Sequence, residues 1–250
     1  NLKNTDYLNK GKKMLGNGNY GIIFDMDGVI INTCKLHEES WFTLSKLYGF
    51  SWNDSINFKE DIFGASSIDS ARRLFKNDIA NHNLKTICRE KDMIYKEFLE
   101  KRVLEIVIKG FPDFFSRIIN SRFQAALATS STYDEASYVL QHLDIYQHFK
   151  SIVSINNVKN PKPNPETYLK ACKALGLLPG SCLGFEDSIP GITSLERAGV
   201  KCVVVGSTLS NEKLRANGLK FNYYIKDFSK ITLSEVLDIL EEKAAYEEQD

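Results

Sequence analysis

The sequence carries no excess of charge of either sign: 32 Lys and Arg stand against 32 Asp and Glu in 250 residues. A formal net charge of zero lacks the basic footprint that phosphate backbones demand, so nucleic acid is not an expected partner. Cysteine is sparse. Cys34, Cys88, Cys172, Cys182 and Cys202 are odd in number, scattered and free of any Cys-x-x-Cys pair, which suits neither a disulfide framework nor a zinc knuckle and points to a reducing cytosol. No run approaches the ~18 consecutive apolar residues of a membrane span. The first twenty residues, rich in Asn, Lys and Gly, lack the apolar stretch of a signal peptide, so a cytoplasmic location is expected. There is no internal repeat, and low complexity is confined to the Asn-rich start and the acidic end over 241–250.

What remains is a chain with ordinary globular composition, 43% hydrophobic and 26% charged, long enough to bury a substantial core. Tyr20-Gly21-Ile22-Ile23-Phe24 reads as a fully buried strand ending at Asp25. Similar runs occupy 123–128, 151–155 and 201–205, with 182–185 shorter and more ambiguous. Helical patterns fall between them at 132–143, 165–175 and 189–198, the second with Asn164 as cap and Pro165 in its first turn. This alternation predicts an α/β fold: a Rossmann-like, mostly parallel sheet with helices on both faces and ligands at the carboxyl ends of the strands.

Residues 32–109 break the alternation. They show helical periodicity and no buried strand, with Cys34, His37, Trp41, Leu44 and Tyr48 on one stripe and further helical signal at 68–79 and 89–107. The expected organisation is therefore a polar tail over 1–19, a core domain over 20–31 and 110–250, and a helical insertion over 32–109, with Gly110-Phe111-Pro112 marking the return. A helix from about 233 completes the chain.

Asp25 and Asp27 leave the first strand together, followed by Gly28, which permits a sharp turn close to a ligand. Alone, Asp-x-Asp-Gly also suits a plain turn. Three other strand ends supply partners. Thr129 and Ser130 could hold a phosphate oxygen or cap the next helix. Lys162, between Pro161 and Pro163 in a stiffened loop, could be a placed charge or a surface turn. Glu186 and Asp187 could bind a metal or cap the following helix. Four carboxylates converging on one crevice repel each other beyond what one lysine can balance, which calls for a divalent cation. Oxygen ligands without His or Cys favour magnesium.

In this order and spacing, Asp-Met-Asp-Gly, Thr129, Lys162 and Gly-Phe-Glu-Asp-Ser resemble the four motifs of the haloacid dehalogenase superfamily over about residues 21–206. The inserted helices resemble the cap of the subgroup containing phosphoglycolate phosphatase and β-phosphoglucomutase. The resemblance implies a magnesium-dependent phosphatase for a small phosphorylated metabolite. Asp25 would be the nucleophile and Asp27 the general acid and base. Thr129, Ser130, Lys162 and Gly28 would surround the phosphate. Asp25, Glu186, Asp187 and the Asp27 main-chain carbonyl would hold Mg2+. An acid at position 27 argues against the dehalogenases, which lack one there.

A hexose-phosphate mutase is the alternative. His37, beside Thr33, falls where β-phosphoglucomutase carries a cap-hinge histidine, although a satisfied histidine on the apolar stripe explains it equally. The mutase's cap arginine and core lysine align with Ser67 and Thr132, so both cations are absent; Arg72 or Arg73 could replace the first, or be solvated. A noncatalytic binding module fits the intact motifs least. Neither the substrate nor the oligomeric state is legible.

Overall fold

The computed structural model describes residues 19–63 and 66–242. The polar tail through residue 18, Gly64 and Ala65, and the acidic end from residue 243 lie outside the described residues. Six parallel strands form one sheet: β1 (Gly21–Phe24), β2 (Gln124–Ala128), β3 (Phe149–Val153), β4 (Cys182–Glu186), β5 (Lys201–Val205) and β6 (Tyr223–Ile225), in the order β3-β2-β1-β4-β5-β6. The order reverses direction at β1, whose neighbours are β2 and β4. That reversal opens a crevice above the carboxyl ends of β1 and β4, where ligands of such sheets bind.

The central strands are apolar because both faces are covered, and every residue of β1 is buried. β4 is also buried throughout, yet its pattern is interrupted by Gly184. The interruption has a packing cause: a Cβ at Gly184 would sit 2.4 Å from the Leu195 side chain of the helix above. A glycine that lets helix and sheet approach weakens the strand signal at the strand that matters most.

The edges depart further from expectation. β3 runs over Phe149–Val153 rather than 151–155, because Ser154 leaves the sheet to cap a 3-10 turn at Ile155–Asn157 in a reciprocal capping box. The three-residue β6 has no counterpart in the sequence reading, being too short to show a period.

The chain divides into two compact units, Asn32–Ile106 and the remainder, with Val107 rejoining beside Ile31 through an isolated bridge. Within the helical unit, α1 (Cys34–Tyr48), α2 (Phe58–Asp61), α3 (Ser67–Phe75) and α4 (Leu84–Arg102) surround a cluster including Trp41, Leu44, Phe50 and Phe75. α1 buries Leu36, Ser40, Trp41, Leu44 and Ser45, so the stripe is rotated from the predicted one. Cys34, His37 and Tyr48 sit half-buried on its flank, where the Tyr48 hydroxyl donates to Glu90 of α4 at 2.7 Å. α4 begins five residues before the predicted 89 because the Asn83 side chain caps it, accepting from Lys85 N and Thr86 N.

The sheet unit adds α5 (Phe111–Ile119), α6 (Tyr133–His142), α7 (Glu166–Leu175), α8 (Ile189–Ala198), α9 (Asn211–Ala216) and α10 (Leu233–Leu240). α7 is capped at Pro165, one position later than expected, while the Asn164 side chain accepts from Glu166 N at 3.0 Å. α5 was not foreseen. It lays Phe111, Phe114 and Phe115 around Phe24 at centroid distances of 5.6, 6.4 and 5.8 Å, while Phe185 of β4 stacks on Phe24 at 5.2 Å. This aromatic block, buried on the order of 150–250 Å² per ring, anchors the residue immediately before Asp25. Among the described residues no helix is long and apolar enough to cross a membrane.

Candidate active site

The site is assembled at the carboxyl ends of β1, β2, β4 and β5. Asp25 continues the β1 ladder, its N–H donating to the Phe185 carbonyl at 3.0 Å, and its side chain is buried. The chain then turns tightly, with the N–H groups of Ile30 and Ile31 both donating to the Met26 carbonyl at 2.8 and 3.2 Å. Gly28 makes the turn possible. Its φ is +78°, and a Cβ there would lie 1.8 Å from Oδ2 of Asp187, so both the left-handed conformation and the close approach require glycine.

Lys162 reaches into this crevice from the loop before α7. Its side chain is only 4% exposed and its three donors are all used: Asp25 Oδ1 at 2.8 Å, Glu186 Oε1 at 2.6 Å and the Ala128 carbonyl at 2.9 Å. The ammonium also lies 4.9 Å from the centre of the Tyr168 ring. This is a buried placed charge, which decides against the surface-turn alternative.

Glu186 is held by five hydrogen bonds. Oε1 accepts from Lys162 and from the Tyr168 hydroxyl at 2.7 Å, and Oε2 accepts from Asp187 N, Ser188 N and Ser188 Oγ at 2.9, 3.2 and 3.1 Å. The cap of α8 is Ser188, whose side chain accepts from Gly191 N, so the two acids are not spent as that cap. Asp187 accepts a hydrogen bond from the Thr208 hydroxyl, and the Ser207 hydroxyl donates to the Gly28 carbonyl. Both hydroxyls come from the loop after β5, and neither they nor Tyr168 were anticipated. The rule that ligands gather at strand ends, applied to β5, is the signal that would have found the loop.

At the end of β2, Thr129 is buried and stays in register through a bond from its N–H to the Val153 carbonyl at 2.9 Å. Its hydroxyl oxygen accepts from Ser131 N at 3.0 Å. Ser131 in turn donates from Oγ to Asp27 Oδ2 at 2.7 Å. Ser130 is exposed. The cap of α6 is Thr132, accepting from Glu135 N, so neither Thr129 nor Ser130 serves as that cap.

The electrostatics follow from burial. Asp25 is pushed up to about 8, first by desolvation and then by Glu186 and Asp27, with Lys162 opposing. Burial raises Asp187 well above the carboxylate range, and the charges of Glu186 and Asp25 add to it. Burial would also raise Glu186, but Lys162 and its hydrogen bonds outweigh that and hold it below its ordinary value. For Lys162 burial again opposes charge, and Asp25 and Glu186 prevail, raising it above an ordinary lysine. One lysine is thus shared by Glu186 and Asp25, and burial with mutual repulsion still raises Asp25 and Asp187.

Oxygens of Asp25, Glu186 and Asp187 lie within 4.8 Å of one another. Three hard carboxylate donors, two of them raised by burial and by neighbouring negative charge, suit one divalent cation of the oxygen-seeking kind. The Asp27 carboxylate lies outside that group. His37 belongs to the helical unit, where Nδ1 accepts from Lys91 Nζ at 2.7 Å and the ring stacks on Tyr95 at 4.1 Å. Burial and then the Lys91 charge lower its pKa well below the ordinary value, which favours the neutral ring.

A model of the haloacid dehalogenase-like hydrolases matches residues 22–205. A phosphorylated carbohydrates phosphatase from Thermotoga maritima is 29% identical over 184 residues, covering 72% of this chain and 82% of that protein. A haloacid dehalogenase hydrolase of family IA, variant 3, from Entamoeba histolytica superimposes with a TM-score of 0.75 at 28% identity, covering 89% of this chain and 99% of the other. A β-phosphoglucomutase from Clostridium difficile superimposes with a TM-score of 0.73 at 25% identity, covering 90% and 99%.

Proposed function

Because the chain belongs to the haloacid dehalogenase-like hydrolases and is an enzyme of that superfamily, we propose that it hydrolyses a small phosphate monoester through a phosphorylated Asp25. The carrying observation is Lys162, which ties the Asp25 carboxyl to Glu186, with Asp187 in the same carboxylate cluster. A nucleophile so held needs no reorganisation as charge builds on the phosphoryl group.

In the first half-reaction an Asp25 oxygen bonds to phosphorus as the bond from phosphorus to the ester oxygen breaks. Asp27 passes its proton to that oxygen, and an alcohol departs. In the second half, Asp27 takes a proton from water as the water oxygen bonds to phosphorus and the Asp25 ester bond breaks. Inorganic phosphate leaves, with Asp25 as carboxylate and Asp27 as acid once more. The hydroxyl of Thr129 is assigned to the non-bridging phosphate oxygens, and the Lys162 ammonium, while bonded to Asp25, Glu186 and the Ala128 carbonyl, supplies positive charge beside them, with Gly28 and Ser130 lining the approach. Magnesium, held by Asp25 and Asp187 with Glu186 and the Asp27 carbonyl alongside, would supply positive charge to the same oxygens.

The substrate class favoured is a phosphorylated carbohydrate, as in the name of the Thermotoga maritima relative. The mutase reading rests on the structural likeness to β-phosphoglucomutase. It is weakened by Thr132, whose side chain is committed to capping α6, and by the candidate replacement arginines: Arg72 faces Asp69 at 3.7 Å and Arg73 donates to the Asp61 carbonyl at 2.8 Å. Incubation with magnesium and a panel of sugar phosphates separates the two. Release of inorganic phosphate is expected, whereas conversion between isomers without phosphate release would establish the mutase.

A further inference from the structure

We propose that Ser131 is a positioning residue for the Asp27 carboxyl, holding one of its oxygens so that it is ready to protonate the leaving oxygen. The inference rests on the phosphatase reading and adds a part to it. Ser131 is anchored on both sides of its own peptide units: its N–H donates to Thr129 Oγ1 at 3.0 Å, and its carbonyl accepts from Ile155 N at 3.1 Å. The backbone therefore cannot drift, and the hydroxyl it presents to Asp27 Oδ2 at 2.7 Å is fixed in place.

Asp27 needs such a support. Its neighbour Asp25 is buried and gripped by Lys162, whereas Asp27 is half-buried in the turn, with Oδ2 held by the Ser131 hydroxyl. Proton transfer falls off steeply when donor and acceptor are misaligned, so pinning one oxygen removes an ordering step from the reaction. The same serine links two ends of the site. Through its N–H it orients the Thr129 hydroxyl and through its Oγ the Asp27 carboxyl, so the group assigned to the phosphate and the group assigned to the leaving oxygen share one support.

Protonation matters in proportion to the basicity of the leaving oxygen, and this yields a test that a merely structural role would not pass. kcat/KM is measured for wild type, Ser131→Ala, Ser131→Thr and Asp27→Asn on a series of monophosphates from alkyl esters through phenyl to p-nitrophenyl phosphate, none bearing a second phosphate. Ser131→Ala is expected to lose about 10- to 100-fold on the alkyl esters but only severalfold on p-nitrophenyl phosphate. Its dependence on leaving-group basicity should thus steepen towards that of Asp27→Asn, and Ser131→Thr, which keeps the hydroxyl, should restore the wild-type slope. A parallel fall across the series in Ser131→Ala, or no fall, would overturn the proposal while Asp27→Asn still shows the steep slope. An unchanged slope in Asp27→Asn, or no turnover of any ester by wild type, would instead remove the phosphatase reading itself.

Discussion

The molecule buries two lysines in opposite ways. Lys162, in the sheet unit, has its three donors taken by Asp25, Glu186 and a carbonyl. Lys91, in the helical unit, is 3% exposed at its side chain and lies 5.0 and 5.6 Å from the ring centres of Tyr95 and Trp41, with its Nζ on the neutral ring of His37. The first is surrounded by charge and the second by aromatic faces, its nearby carboxylate, Asp92, being 60% exposed. Under the proposed function, the contrast separates a cation placed for chemistry from one accommodated by packing. Positive charge at Lys162 meets the anions a phosphoryl site needs, whereas Lys91 gains mostly ring contact and cover for its stem.

The largest predicted effect breaks that comparison. Lys162→Met strands the Glu186 carboxylate in a buried site, which costs about 3–5 kcal/mol, while Lys91→Met forfeits hydrogen bonds to the His37 ring and to the exposed Asp92 carboxylate, about 1–2 kcal/mol together, and keeps its stem between Trp41 and Tyr95. Urea midpoints of the two variants check this; equal destabilisation would show that the two lysines are held alike.

A smaller effect is expected at the loop after β5. Thr208→Ala frees the Asp187 carboxyl from the hydroxyl that orients it, and magnesium affinity should fall about 10- to 100-fold, as read by titration calorimetry. The smallest effect is a pH dependence. Asp25, raised to about 8, binds its proton more tightly folded than unfolded. Without metal its contribution therefore turns increasingly unfavourable as pH climbs from the ordinary aspartate range to about 8, and levels off above. A divalent cation favours the ionised form, so the rise in Tm on adding magnesium should be greater at pH 8 than at pH 6. A rise independent of pH would show that Asp25 does not meet the ion.

How far the sequence could be read depended on what each signal measures. Buried parallel strands announce themselves by apolar runs, and β1, β2 and β5 lie close to their predicted bounds. The helices at 132–143, 165–175 and 189–198 were marked by periodicity and caps. β4 was blurred by Gly184, which exists for Leu195, and β6 was too short to show any pattern. α5 escaped because Phe111, Pro112, Phe114 and Phe115 read as a breaker and an aromatic run, whereas their role emerges only around Phe24. At the site, residues carrying charge were legible, since carboxylates and a lysine at strand ends require an explanation. Ser131, Tyr168, Ser207 and Thr208 were not, because a hydroxyl has no conspicuous cost until a partner is seen beside it. His37 was legible as a residue but not as a partner of Lys91, 54 positions away in the chain.

In the proposed mechanism Asp25 carries the phosphoryl group. The most direct test of this is rapid acid quench of Asp27→Asn with phosphorus-labelled substrate, followed by peptide mapping. Slow dephosphorylation in that variant should accumulate label as an alkali-labile acyl phosphate on the peptide containing Asp25. Label on another residue, or substrate turnover by Asp25→Asn at the wild-type rate, would contradict the account.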